Sequence, residues 1–259
     1  MKTFTFLFVL IISVNINIYS QSVADLIKEG DKYYTEFDNQ KALETYQKAD
    51  KLSPGNWEVL WRISRAIVDI ANKMPEATDE QKDAKFDQYK KSFAYADSAV
   101  KLADDKSVNY VRRAIANGRI ALFEGVFSAI GTVNDVRDDC EKAIQLNNGG
   151  NYVQALAHYV LARTNAKVCE KAYLLRLPLG LGWGDMDVAI REYQTAIKLK
   201  PNMRMFYLDL AKAYIEEDEY ELAKENLLQV EKCPVVIEDD DEYLKEAKQL
   251  LVKVNEELE

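Results

Sequence analysis

The sequence predicts an all-α fold: a right-handed superhelix of about five helical hairpins with insertions, followed by a C-terminal capping helix. Three observations predict it. One phrase recurs near the ends of successive segments, as ADKLSP (49–54), AVKLAD (99–104), AIQLNN (143–148) and AIKLKP (196–201), with a fainter VEKCPV at 230–235. Apolar residues repeat at helical spacing, and no alternating strand pattern of useful length occurs. The 259 residues include only 10 Gly and 5 Pro, too few for a disordered or fibrous chain.

The recurring phrase sets the phase. Counted back from Pro54 at position 32, Gly30, Tyr33, Ala42, Tyr46 and Ala49 occupy positions 8, 11, 20, 24 and 27 of a 34-residue unit. That is the spacing of the tetratricopeptide repeat, a helix–turn–helix module. Small residues at three of these positions let two antiparallel helices approach, and the aromatic residues fill the space beside them. Proline cannot continue the second helix, so the chain turns there into the next repeat.

The later hairpins follow in order. NWEVLWRISRAIVDIANKM (56–74) pairs with KKSFAYADSAVKLAD (90–104), and PEATDEQKDAKFDQ (75–88) is either inserted or lengthens the second helix. SVNYVRRAIANGRIALF (107–123) pairs with VNDVRDDCEKAIQLN (133–147). NYVQALAHYVLARTNAKVCEKAY (151–173) pairs, across an inserted loop RLPLGLGWGDM (176–186), with a helix that keeps Ala189, Tyr193 and Ala196. The last full repeat starts at Arg204 and shows Tyr207, Leu210, Ala211, Tyr214, Ala223, Leu227 and Val230 in phase. DDDEYLKEAKQLLVKVNEEL (239–258) is amphipathic and reads as the polar-backed terminal helix that solenoids need, with Asp239 or Asp240 as its cap.

The first twenty residues, MKTFTFLFVLIISVNINIYS, differ from the rest. Lys2 precedes an apolar run over 4–14 that is short for a bilayer span, and Ile18-Tyr19-Ser20 resembles a cleavage site. The expectation is a signal peptide over 1–20 and a mature solenoid over 21–259, exported to the periplasm or secreted and without a transmembrane span; an uncleaved anchor is the alternative. With 34 Lys+Arg against 43 Asp+Glu the net charge is -9, which argues against nucleic-acid binding and against a polybasic hold on membranes. Three cysteines, Cys140, Cys169 and Cys233, are too few for a disulfide-stapled domain, so packing must supply the stability.

Catalytic signals are absent. His158 is the sole histidine and falls at a small-residue position facing the partner helix, where a packed, hydrogen-bonded role is expected. No Cys-x-x-Cys, His-Glu-x-x-His or P-loop occurs, and Gly180-Leu-Gly182-Trp-Gly184 follows a helix rather than a strand. IEDDDE (237–242) lacks calcium-loop spacing and reads as a solvated turn with a helix cap. No enzyme, cofactor or metal is therefore expected.

Arginine placement is more informative. Of ten arginines, seven (Arg62, Arg65, Arg112, Arg113, Arg119, Arg163 and Arg176) lie in or just after first-helix segments of the middle repeats. First helices line the concave groove of such solenoids, and on the repeat register Trp61, Arg65, Arg119, Tyr159 and Arg163 face it, with Tyr34 extending the surface. Guanidinium forks suit carboxylates and phosphates, and the rings can stack on them or grip apolar groups. Ion pairs between neighbouring helices, with Asp69 and Glu124 as acceptors, are the structural alternative. Asp31, where a chaperone-tail clamp would carry Asn or Lys, argues against that kind of partner.

LWRISRAIVDI (60–70), the positions of the insertions, and the run beginning CEKAIQLNNGGNYVQALAHYVLART (140–164) resemble the regulator of microtubule dynamics family, over roughly 24–255. Leu161-Ala162-Arg163-Thr164 departs from the family's Leu-Gly-Arg-Trp. The resemblance implies a repeat fold without a known catalytic motif.

Two functions follow as expectations. One is an adaptor whose groove holds a segment of a partner protein, including one that bears a carboxylate. The other is a carrier or sensor of a small amphipathic, lipid-like anion, favoured if 75–88 and 176–186 fold over the groove as lids. LRLPLGLGW (175–183), the most apolar non-periodic stretch, is expected to pack on the core, with lining such a pocket or touching a membrane surface as the alternatives.

Overall fold

A computed structural model describes residues 21–125 and 129–259; the expected signal peptide lies outside them. Five helical hairpins and a final helix follow one another. They are α1 (Val23–Thr35) with α2 (Asn39–Leu52), α3 (Trp57–Lys73) with α4 (Asp79–Leu102), and α5 (Ser107–Glu124) with α6 (Ile130–Leu146). Then come α7 (Gly150–Cys169), the short α8 (Tyr173–Arg176) with a 3-10 turn at Leu177–Leu179, and α9 (Met186–Leu199), which pairs with α7. The last hairpin is α10 (Arg204–Glu216) with α11 (Tyr220–Lys232), and α12 (Asp240–Glu257) packs on both. No strand occurs among the described residues, and none of their helices is long and apolar enough to cross a membrane.

The helices start where the sequence supplies acceptors. Ser22 with Asp25 and Thr78 with Gln81 form capping boxes on α1 and α4, while Asp38, Asn56 and Asp185 cap α2, α3 and α9. The repeat phase places its small and aromatic positions in the core: Ala42, Tyr46 and Ala49 are fully buried, as are Ala189 and Ala196. A Cβ added at Gly30 would come within 2.4 Å of the Tyr46 ring, so α1 and α2 touch there through a glycine. Burying a large apolar side chain contributes about 1.5–3 kcal/mol. The 75–88 segment lengthens the second helix, since α4 already begins at Asp79.

Stacking continues between repeats. α2 packs on α3, α4 on α5, α6 on α7 and α9 on α10, and the first helices α3, α5 and α7 also lie side by side. Those first helices form the inner wall of the superhelix.

Three expectations need correction. Asp239 makes no side-chain cap, and Asp240 is fully buried, its Oδ2 accepting from the backbone N–H groups of Val236 and Ile237. Within IEDDDE, Asp240 is thus buried and Asp239 half-buried, while Glu238, Asp241 and Glu242 are exposed, so the segment is only in part a solvated turn. Neither insertion lines the concave cavity described below, so neither is its lid. Within 176–186, Leu181 is fully buried against Val168 and Val133, and Trp183 donates to Asn134 Oδ1 at 2.9 Å; Leu177 and Leu179, by contrast, are exposed.

Candidate functional site

The concave face holds a cavity of about 280 Å³, at the lower end of small-ligand pockets. Its walls come from α1, α3, α5 and α7, with Val133 and Val136 of α6 at one end. A fourth side was not legible in advance: the linker after α11 crosses the groove, and Val236, Ile237, Glu238 and Asp239 line the cavity with Tyr243 of α12.

Two contacts hold that linker across the mouth. Asn39 Nδ2 donates to Glu238 Oε2 at 2.8 Å, and Lys73 Nζ lies 2.5 Å from Asp239 Oδ1 and 2.9 Å from Glu242 Oε1. Its base is fixed by Arg204, which is buried and donates from Nε and Nη2 to the Cys233 carbonyl and from Nη1 to the Asp240 carbonyl.

Of the six residues expected on the groove, Tyr34, Arg65, Arg119, Tyr159 and Arg163 line the cavity; Trp61 does not. Trp61 stands behind Arg65, its ring centre 5.0 Å from that guanidinium and 4.2 Å from that of Arg62. Arg65 is sandwiched, with the Tyr34 ring 3.5 Å away on another side. Its Nη2 donates to Asp31 Oδ1 and to the Tyr46 hydroxyl, at 3.1 and 3.0 Å. On the far wall Arg163 Nε is 3.5 Å from Asp209 Oδ2, which also accepts from the Tyr159 hydroxyl at 2.7 Å. Arg113 points elsewhere, clamping Asp139 with two bonds and Asp97 with a third.

The acceptors differ from those the sequence suggested. Asp31 and Asp209 take the arginines, whereas Asp69 accepts the Tyr34 hydroxyl at 2.8 Å. Burial pushes the Asp69 carboxyl above its ordinary pKa, against the opposing effects of Tyr34 and of the nearby Arg112, Arg65 and Arg119 charges. Burial likewise raises the Tyr34 phenol well above its usual range, so it stays a donor.

Arg112, which lies on the same face of α5 as Arg119, is a wall residue that the register missed. The cavity collects five cations (Arg65, Arg112, Arg119, Arg163 and Lys167) against three carboxylates, in a chain of net charge -9. Phe37 adds an aromatic rim from a backbone φ of 62°, a left-handed conformation costly for a bulky side chain. No histidine or cysteine lines the cavity: His158 bonds to Glu192 of α9, and all three cysteines are unpaired. No group of metal-binding residues occurs among the described residues. What this arrangement can do is hold an anion beside an apolar surface.

Comparison with known proteins agrees with this architecture. The family described as "Regulator of microtubule dynamics protein 1-3" matches residues 26–255. Regulator of microtubule dynamics protein 1 of Mus musculus is 23% identical over 234 residues, covering 88% of this chain and 74% of its own length. Its Bos taurus counterpart is 26% identical over 245 residues, covering 88% and 71%. Among solved structures, a thermophilic TPR protein of Thermus thermophilus superposes with a TM-score of 0.64 at 16% identity, over 89% of this chain and 100% of its own. MamA of Desulfovibrio magneticus gives 0.50 at 12% identity, over 81% and 93%. These likenesses establish the tetratricopeptide-repeat fold.

Proposed function

The chain belongs to the regulator of microtubule dynamics family, and from that premise we propose that it is an exported, non-catalytic repeat scaffold: an adaptor whose cavity holds one anionic, partly apolar element of a partner protein. The carrying observation is the wall of five cations set among Tyr34, Tyr159 and aliphatic side chains, inside an otherwise acidic molecule. Guanidinium groups in a desolvated wall bind carboxylates through charge-assisted bonds worth about 1.5–3 kcal/mol each. Export rests on the charged start and apolar run of residues 1–20. An exported chain does not meet cytosolic microtubules, so the relatives' name is not carried over as an activity.

The test is photo-crosslinking in the native host from a reactive residue in place of Tyr152, which lines the cavity. A single protein adduct that disappears in an Arg119→Gln background is expected. No adduct, or one indifferent to Arg119, sinks the adaptor.

The lining of the groove by residues 236–239 favours a second reading, a carrier of a small amphipathic anion, because those residues narrow the space to a half-enclosed pocket. Native mass spectrometry of gently purified protein separates the two. Excess mass that is lost on denaturation supports the carrier, and a bare chain mass excludes it.

A further inference from the structure

The four cavity arginines are not equivalent. Arg65 is committed to Asp31 and Tyr46, and Arg163 to Asp209. Arg112 is only 7% exposed and has no hydrogen-bond or ion-pair acceptor among the described residues; its guanidinium lies 5.7 Å from the centre of the Trp61 ring, and its Nε is fully buried and unsatisfied. Nearly all buried polar N–H groups in folded proteins find an acceptor, so a buried guanidinium that lines a cavity with only a ring beside it calls for a missing acceptor. Arg119 stands two turns along the same face of α5, roughly 10 Å further on, and also makes no hydrogen bond or ion pair among the described residues.

Gly118, beside Arg119, is a second and independent sign. It lies inside α5, lines the cavity, and a Cβ added there would meet nothing within 4 Å. Neither packing nor a left-handed φ requires glycine at this point, and glycine inside a helix is unfavourable. Its remaining use is to let another group approach the backbone closely. Ile115 and Leu122 flank it on α5, and Leu156 and Val160 of α7 also line the cavity.

We infer that α5 carries an anion-binding subsite in which Arg112 and Arg119 receive a carboxylate, while a flat apolar body attached to that carboxylate lies over the bare backbone at Gly118. This rests on the reading of the cavity as the binding site. A carboxylate matches the planar fork of each guanidinium. Asp69, Glu238 and Asp239 also line the cavity, which favours a single negative charge over two. A volume of about 280 Å³ limits the body to about a dozen heavy atoms.

The test is calorimetric titration of the purified protein with 4-phenylbutyrate and with its neutral amide. The acid should bind at least about tenfold more tightly than the amide. Arg112→Gln and Arg119→Gln should each erase that preference, Arg163→Gln should weaken the acid by no more than about threefold, and Gly118→Leu should block both ligands. Arg112→Gln should leave the melting temperature unchanged or raise it, because the charge it removes is buried without a hydrogen-bonding or ionic acceptor; a purely structural arginine would lower it. Acetyl-diglycyl-phenylalanine, titrated alongside, reports the source of the carboxylate. Tighter binding than the free acid, with the same arginine dependence, supports the subsite with a chain terminus as its ligand. Equal affinity for acid and amide overturns the proposal. If the acid binds and is blocked by Gly118→Leu but ignores Arg112 and Arg119, the subsite falls and the cavity stands. If neither the acid nor the peptide binds at about 1 mM, the subsite is overturned as well, and the crosslinking from position 152 judges the cavity by itself.

Discussion

Lys73 Nζ on α3 lies 2.5 Å from Asp239 Oδ1, joining the second hairpin to the segment that follows the fifth. Glu242 takes the same ammonium at 2.9 Å, and Asn39 grips Glu238 beside it. This polar clasp holds residues 236–239 against the concave groove and narrows it. Its members are partly exposed, Lys73 at 34% and Asp239 at 23%, so it contributes little stability while deciding access.

Lys73→Met should therefore cost about 0.5–1 kcal/mol, the range of a partly exposed ion pair. Amide exchange at 236–239 should accelerate well beyond that of the buried core around Phe206. Hydrogen exchange read by mass spectrometry checks this, and unchanged protection at 236–239 would show that the clasp does not hold the linker.

Arg204 is expected to matter far more. Its three bonds to the Cys233 and Asp240 carbonyls fix the base of the same linker in a buried setting. Arg204→Met leaves those carbonyls unsatisfied, at about 1–3 kcal/mol each, so urea unfolding should report a total loss of about 2–4 kcal/mol. A loss under about 1 kcal/mol would mean that water replaces the guanidinium freely.

Two helical glycines should respond in opposite senses. At Gly30 a methyl group would lie 2.4 Å from the Tyr46 ring, whose hydroxyl serves Asp31 and Arg65. Gly30→Ala should destabilise by about 1–3 kcal/mol, overpacking outweighing helix propensity. Gly118→Ala meets open space and should stabilise by about 0.5–1 kcal/mol. Thermal melts of both variants decide it; stabilisation at Gly30 would contradict the described packing of α1 on α2.

Asp31 sets an acid dependence. Burial pushes its carboxyl up, but hydrogen bonds from Arg62 and Tyr46 and the charges of Arg62 and Arg65 outweigh it, leaving the pKa below its ordinary value. The folded state then holds fewer protons than the unfolded chain. The resulting stability is fully present above the unfolded value near ~3.9 and is lost as pH falls through the folded one. Asp31→Asn should destabilise at neutral pH and converge on the parent protein once the pH falls through the lowered folded-state pKa of Asp31. Denaturant midpoints at several pH values test it, and a difference that stays constant with pH would remove Asp31 from the acid response.

The hairpins were legible because they depend on local spacing. Ala42, Tyr46 and Ala49 announce a buried helix face from their intervals alone, and Pro54 announces its end. The same register placed Tyr34, Arg65, Arg119, Tyr159 and Arg163 around the groove, and all five line the cavity. It missed Arg112, whose importance is that it lacks a hydrogen-bonding acceptor, and it put Trp61 on the groove although that ring packs behind Arg65. His158 facing its partner helix was legible, but its partner Glu192 was not.

By itself, then, the sequence determined the fold class, the order and pairing of the hairpins and the concentration of arginine on first helices, though not where α4 begins or α7 ends. Tertiary structure alone decided the rest. Which arginines are neutralised depends on Asp31 and Asp209, carried by neighbouring repeats, and the groove is narrowed because superhelical curvature brings Glu238 and Asp239 back to Asn39 and Lys73. Those encounters join residues far apart in the chain. Small rotations between stacked repeats accumulate to produce them, and no periodicity within one repeat records that sum.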